Sequence, residues 1–398
     1  MTFCNYRYMT NTDQHISTKP VERSRIPPFA FVLTTCIGVI GSNSLALGPI
    51  APEVARSLDV GAPAVMTASA VFGLGTAASA IFLGRFIDRY GPSRMLVLAL
   101  LLLVIGLGAS AAAPALPFLV TAQLLVGIAA GIALPAIYTL AAIVAPAGRE
   151  SETIGLVLTG WTLSMVAGVP LSAAIADFAG WRVTFLVVAA AALIVCAAVR
   201  MAVVRDAPQA AASSPLTALG VRGAVPLLSA CAAFMAAFYG VYAYIGDHLH
   251  AALELPLSAN GFIAAFYGVG FGSAAFLDRL IDRLGAGKLL PLIFLVVAAV
   301  YVAMAAASGS YKAMLAVVFF WGLANHLGLN VLIMRLTALS PTRRGAIMGL
   351  NSGVTYLALF AGTLAFGNLY SAASFFALPV AAGGLMLAAA LCAALAPR

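Results

Sequence analysis

Gly84-Arg85-Phe86-Ile87-Asp88-Arg89-Tyr90-Gly91 is answered further along the chain by Asp278-Arg279-Leu280-Ile281-Asp282-Arg283-Leu284-Gly285, 194 positions away (88 to 282). The same separation carries Arg94 onto Lys288, Gly155-Leu156 onto Gly349-Leu350 and Ala167-Gly168 onto Ala361-Gly362. Chance matches would not share one spacing across separate regions, so the two halves read as an internal repeat. Each copy is a short charged break between long apolar runs. In the first, Gly84 allows close backbone approach, and Gly91 with Pro92 suits a tight turn. A carboxylate such as Asp88 beside a helix N-terminus meets the positive end of its dipole. Arg85, Arg89 and Arg94 can hold that carboxylate or reach lipid headgroups. A positive loop alone would require neither the aspartate nor a second copy.

The rest of the chain says what the loops interrupt. Of 398 residues, 9% are charged and 63% are hydrophobic, with a mean hydropathy of +1.05. Soluble domains carry about 25% charged residues. This composition excludes a soluble enzyme, a secreted disulfide scaffold and a disordered chain. In a bilayer the backbone must satisfy itself, in helices or in a closed barrel. Barrel strands would alternate polar and apolar residues, whereas these runs are continuous and long enough to span as helices. Twelve are read, at 27–50, 63–84, 93–113, 117–144, 153–176, 183–203, 224–245, 258–277, 289–308, 312–338, 345–369 and 373–395. The expected fold is an all-α membrane protein, twelve transmembrane helices in two six-helix pseudo-repeats. Its parts are a tail at 1–26, a first bundle at 27–203, a linker at 204–223 and a second bundle at 224–398.

Charge orients that bundle. The tail carries Arg7, Lys19, Arg23 and Arg25, which predicts a cytoplasmic N-terminus. With that start, 18 of the 21 lysines and arginines fall on the cytoplasmic side, all but Arg56, Arg182 and Lys312. The C-terminus then also lies in the cytoplasm. The net charge of +8 therefore reads as topology, not as a nucleic-acid surface. Cys4, Cys36, Cys196, Cys231 and Cys392 form no CxxC pair and no metal spacing, so neither a metal nor a cofactor is expected. Parallel six-helix repeats with a pathway at their interface are a recognised transporter plan.

At this point the chain resembles the major facilitator superfamily. GRFIDRYGPSR, from Gly84 to Arg94, is similar to that superfamily's loop between helices 2 and 3, and DRLIDRLGAGK to its degenerate second copy. The resemblance implies gating roles for Gly84, Arg85, Asp88, Arg89, Gly91 and Arg94, with Asp282, Arg283 and Gly285 in the second copy. Asp88 would dock near Arg344 and Gly345 at the start of span 11, and Asp282 near 150–153 at span 5. Asp278 replaces the glycine that Gly84 supplies. Span 5, with Gly160, Gly168 and Pro170, resembles the motif of the drug:proton antiporters in its arabinose-efflux-like form, with Ser172 where those exporters usually have glycine. Tyr242-Ala243-Tyr244-Ile245 and Tyr267-Gly268-Val269-Gly270 are similar to the same branch. In many relatives an arginine implicated in proton relay stands where Gln123 does; glutamine can hydrogen-bond but cannot carry that charge.

Proton coupling usually needs an intramembrane titratable group. No carboxylate lies near the middle of a span; Glu53, Asp59, Asp177, Asp247 and Glu254 fall at the outer edge. His326 on span 10 is the first candidate, because imidazole changes charge near neutral pH, and Asp247, near His248 and His250, is the second. The alternatives are a histidine bonded to a neighbouring helix and a solvated loop cluster. By analogy with the superfamily, spans 1, 4, 7 and 10 line the cavity. Their sparse polar residues include Asn43, Gln123, Tyr138, Tyr239, Tyr242, Asn325 and Asn330, each as suited to joining helices as to touching a solute. Arg335 reads as a gate or an anchor.

The resulting expectation is a monomeric, multi-pass secondary transporter of a bacterial inner membrane. It exports a small uncharged or amphipathic organic solute or drug in exchange for protons, by alternating access. A proton-linked importer or facilitator on the same fold is the alternative. No HExxH, GxSxG or nucleotide-binding motif is present, so neither an enzyme nor an ATP-driven pump is expected.

Overall fold

The computed structural model describes residues 25–146, 149–202, 214–277 and 286–396. Twelve long helices run through them. In the first half they are α1 (Pro28–Leu58), α2 (Ala62–Phe82), α3 (Pro92–Ala111) and α4 (Leu116–Val144). Next comes α5, in which Glu150–Leu163 continues through a π-helical turn, Ser164–Gly168, into Val169–Ala179. Helix α6 is Trp181–Met201. The second half has α7 (Ala224–Leu253), α8 (Leu257–Ser273, extended by a 3-10 turn at Ala274–Leu277), α9 (Ala286–Ala307), α10 (Tyr311–Ala338), α11 (Arg344–Ala373) and α12 (Ala377–Leu395). Eleven of them are long and apolar enough by themselves to cross a bilayer. The other, α8, is the 17-residue helix that the 3-10 turn prolongs. The fold is all-helical, as the sequence pattern predicts.

Local sequence explains the starts and stops. Proline occupies the first turn of α1, α2, α3 and α4, where no N–H partner is needed. Gly91 enters α3 at φ +89°, a backbone position that favours glycine, and Pro92 follows it. In α5, Pro170 cannot donate to the turn before it, and the helix widens there into the π segment. Helix α7 continues to Leu253, well past the end expected at 245, and Glu254 caps it in a left-handed conformation. Part of the linker is also built: Pro215–Gly220 forms a 3-10 helix beside α11, and Arg343 Nη1 donates to the Thr217 carbonyl at 3.5 Å.

The core is packed through small residues, as lipid gives helices no apolar reason to associate. Within the first half, α2 and α4 approach so closely that a Cβ on Gly127 would overlap the Phe72 carbonyl, and one on Gly75 would lie 2.7 Å from Leu124 O. Helices α8 and α10 repeat the device, with Gly322 against the Tyr267 carbonyl and Gly270 against that of Phe319. Between the halves, Gly73 of α2 meets Tyr356 and Leu359 of α11, and Gly268 and Gly261 of α8 meet the π turn and Pro170 of α5. Large apolar side chains such as Phe31, Phe82, Ile105, Phe118, Phe178 and Ile194 point outward and are exposed. A protein in water would not tolerate so many; a bilayer solvates them.

Candidate functional site

The start of α1 and the end of α12 lie at one end of this bundle of twelve described helices, the termini end; the opposite end is the far end. The largest concentration of aromatic side chains lies where α7, α8 and α10 converge in the second half. Phe238 is its hub. Its ring centroid is 4.9 Å from that of Tyr239, 5.6 Å from Tyr242, 5.4 Å from Tyr267 and 5.3 Å from Trp321. Tyr267 also meets Trp321 edge-on at 4.9 Å, and its hydroxyl accepts from Asn325 Nδ2 at 3.1 Å. These contacts place aromatic faces and a few polar atoms in one wall.

His326 stands at the edge of this wall. It is half-buried, and its ring lies 4.8 Å from Phe271 of α8 in an edge-to-face arrangement. Asn330 lies one helical turn further on, on the same face of α10. The opposing wall comes from the first half and α11. Tyr356 of α11 has Tyr239 of α7 and Tyr138 of α4 as electrostatic neighbours, and the Trp161 indole reaches the Tyr138 hydroxyl. Four of the expected cavity residues, Tyr138, Tyr239, Tyr242 and Asn325, therefore belong to this aromatic region.

Asn43 and Gln123 are brought together elsewhere. Asn43 Nδ2 donates to Gln123 Oε1 at 3.3 Å, and Gln123 Nε2 donates to Ser110 Oγ at 3.0 Å. Ser110 in turn donates to the Gly106 carbonyl at 2.8 Å. The chain ties α1, α4 and α3, and both amides are almost fully buried. Its first contribution is helix association. Asn43 Oδ1 is left without a protein partner, and so remains an acceptor for water or a solute.

Asp247 lies on α7 and not in a loop. The Tyr370 hydroxyl of α11 donates to its Oδ2 at 2.8 Å, and Tyr370 stacks on Tyr244 at 5.2 Å. The neighbouring histidines do not join it. His248 bonds the Ser308 carbonyl at 2.8 Å and stacks on Phe375 at 4.3 Å, while His250 bonds the Leu255 carbonyl at 2.9 Å. Arg335 is an anchor: it is buried, and its Nη1 and Nη2 donate to the carbonyls of Ala393 and Ala396 at the end of α12, at 2.7 and 3.2 Å. A cation there complements the negative end of that helix.

The span-5 residues form a seam. A Cβ on Gly160 would overlap the Thr34 carbonyl of α1, and one on Gly168 would overlap the Ser42 hydroxyl. Gly261 of α8 rests 3.0 Å from the Pro170 Cα by the same construction. So Gly160 and Gly168 hold α5 against α1, while Pro170 faces the other half.

In the charged loop, Arg85–Tyr90 forms a short helix between α2 and α3, bounded by Gly84 and Gly91. Arg85, Arg89 and Arg94 are exposed, with Arg85 over the Phe86 ring at 5.1 Å and Arg89 over Tyr90 at 5.4 Å. The Asp88 side chain lies outside the described residues, as do Asp282, Arg283 and Gly285. At the expected docking point of Asp88, Arg344 and Gly345 are exposed, and no described atom lies within 4 Å of a Cβ placed on Gly345. At the start of α5, Glu152 accepts from Arg149 Nε at 2.8 Å, and that bond raises the pKa of the guanidinium.

At the far end the halves are closed by α1. Tyr242 of α7 donates its hydroxyl to the Leu45 carbonyl at 3.3 Å, and Asn260 Nδ2 of α8 donates to the Pro49 carbonyl at 2.8 Å. Between them a Cβ on Gly246 would lie 2.7 Å from the Gly48 carbonyl. Sequence reasoning missed Asn260, Phe238, Phe271 and Trp321, because it weighed polar residues on spans 1, 4, 7 and 10 alone. Unusual aromatic density around Phe238 and Tyr267 was the signal on offer.

Comparison with known proteins agrees with the architecture. A family model described as Major Facilitator Superfamily matches residues 32–363. The Uncharacterized MFS-type transporter YwfA of Bacillus subtilis (strain 168) is 26% identical over 369 residues, covering 90% of this chain and 88% of the relative. Among solved structures, a bacterial homolog to the human lysosomal transporter Spinster, in an inward-facing and unoccupied conformation, superposes with a TM-score of 0.75. It shares 15% sequence identity, covering 92% of this chain and 95% of that one.

Proposed function

We propose that this chain, which belongs to the Major Facilitator Superfamily and so to a family of secondary transporters, exports a small uncharged or amphipathic organic solute in exchange for protons. The observation that carries this reading is the aromatic wall around Phe238, faced across the bundle by Tyr138 and Tyr356 and poor in fixed charge. Aromatic faces favour flat or apolar solutes, and Asn325, Asn330 and the tyrosine hydroxyls offer hydrogen bonds that orient them. Such a site gives a strongly anionic solute no counter-charge. The drug:proton antiporter branch, in its arabinose-efflux-like form, is the best fit within the superfamily.

His326 is the proton carrier in this reading. It sits beside the wall on α10, with its ring against Phe271. Proton and solute would then compete for one region, which is how exchange is enforced without a direct bond between them. Asp88 and Asp282 act at the termini end as latches on α11 and α5, released and remade as the halves rock. The bias of the basic residues supports cytoplasmic termini, and a bacterial inner membrane and a monomer complete the proposal.

Intrinsic fluorescence tests the site directly. The chain has three tryptophans; Trp161 and Trp321 border the aromatic region, and Trp181 packs beside Phe185 away from it. Titrating purified protein with a panel of aromatic cations and neutral aromatics should quench emission saturably. The quench should persist in Trp181→Phe and shrink in Trp321→Phe. A quench carried entirely by Trp181, or none with any solute, contradicts this site.

A further inference from the structure

Helix α1 contains two internal prolines, Pro49 and Pro52, near its far end. A proline inside a helix has no N–H for the carbonyl four residues earlier. Pro49 therefore frees the Leu45 carbonyl, and Pro52 frees that of Gly48. Within a membrane a freed carbonyl needs another partner, or it costs free energy. The opposite half supplies a donor to the first and packs its backbone against the second. The Tyr242 hydroxyl donates to Leu45 O at 3.3 Å, and Gly246 presents its backbone to Gly48 O so closely that a side chain would not fit. One residue further on, Asn260 Nδ2 reaches Pro49 O at 2.8 Å. Three contacts from α7 and α8 thus fall on the proline-containing turn of α1 between Leu45 and Pro49.

We propose that Tyr242 and Asn260 are the gating residues of the far end: they hold it shut by docking on the backbone carbonyls of the proline-containing turn of α1. The inference rests on alternating access, and it assigns the far-side gate to specific atoms. When the halves rock, these carbonyls pass to water entering from the far side. The exchange of a protein donor for water costs little, so the latch is strong enough to close and weak enough to release. Tyr242 also stacks on Phe238. A solute that displaces the Phe238 ring therefore moves the residue that keeps the gate closed.

The far ends of α1 and α7 expose Arg56 and Ala251. Spin labels on cysteines placed there report far-end separation in the full-length protein in nanodiscs, with no substrate required. The parent should show a dominant short distance. Tyr242→Phe and Asn260→Ala should each raise the population at longer distance, by about five-fold per hydrogen bond lost. Pro49→Ala should do the same with Tyr242 intact, because the new N–H pairs with Leu45 O inside α1. Adding Tyr242→Phe to Pro49→Ala should then change little further.

A far end that opens in the parent to the same extent as in all three variants overturns the latch and leaves alternating access standing. So does full additivity of Pro49→Ala with Tyr242→Phe. A far end that never opens, in any variant or at any pH between 5 and 8, contradicts alternating access itself. Monodisperse elution of each variant separates these outcomes from misfolding, and Asn260→Asp, which removes the donating amide but keeps the shape, serves where Asn260→Ala fails to fold.

Discussion

Asn43 on α1 and Gln123 on α4 are joined side chain to side chain at 3.3 Å inside the first bundle, and Gln123 passes the bond on to Ser110 of α3 at 3.0 Å. A neutral amide can accept from one neighbour and donate to the other, so one residue ties three helices without a charge. Gln123→Ala leaves the Asn43 amide and the Ser110 hydroxyl without that partner, in a site almost fully closed to solvent. The expected cost is about 1–3 kcal/mol. It should appear as a lower thermal midpoint in detergent, with ligand quenching retained in the fraction that remains folded.

The seam between α5 and α1 makes a sharper contrast within one helix. No described atom lies within 4 Å of a Cβ on Gly155, whereas one on Gly160 would overlap the Thr34 carbonyl. Gly155→Ala should be neutral or stabilise by up to about 1 kcal/mol through helix propensity. Gly160→Val should force α5 away from α1 and reduce the yield of monodisperse protein severalfold. Size-exclusion profiles of the two variants check both.

Two titratable groups compete for the coupling role, and their surroundings differ. Asp247 accepts from Tyr370 toward the far end, while His326 lies against Phe271 beside the aromatic wall. Asp247→Asn keeps an acceptor for Tyr370, and pH-driven transport should survive it. His326→Ala should leave downhill movement of the solute but abolish its response to an imposed pH gradient. Parallel flux measurements on the two variants decide between them.

The charged loop supplies a further expectation. Thr342 to Gly345, at the start of α11, are exposed among the described residues, so this helix terminus is open to a charged partner. Asp88→Asn removes the charge that would meet that helix terminus. Transport should fall at least ten-fold with membrane insertion unchanged. Immunoblotting of membranes alongside flux checks this.

The sequence was most legible where the bilayer dictates the answer. Continuous apolar runs cannot be other than spanning helices, and the loop from Gly84 to Gly91 marks the boundary between two of them. Gly91 adopts the turn that its pairing with Pro92 suggests. Hydropathy misjudged α7, because the apolar run stops at Asp247 while the backbone bonding of the helix continues to Leu253. The sequence therefore leaves Asp247 open between a proton-coupling candidate and a solvated loop cluster, whereas the helix carries it to Tyr370. The polar residues of spans 1, 4, 7 and 10 were visible, but their partners were not. Whether Gln123 faces a cavity or Asn43, and whether Tyr242 meets a solute or the carbonyl that Pro49 frees, depends on helix rotation and on contacts between residues nearly 200 positions apart. Composition carries no such information.

The central claim is proton-driven exchange through the aromatic site. It is tested most directly in proteoliposomes, loaded with a solute selected by fluorescence quenching, when a pH gradient is imposed and solute flux is followed with and without a protonophore. The account predicts movement of the solute against its own gradient, opposite to the proton flow, lost with the protonophore and lost in His326→Ala. Flux that is indifferent to the pH gradient, or gradient-driven flux that survives His326→Ala unchanged, would contradict it.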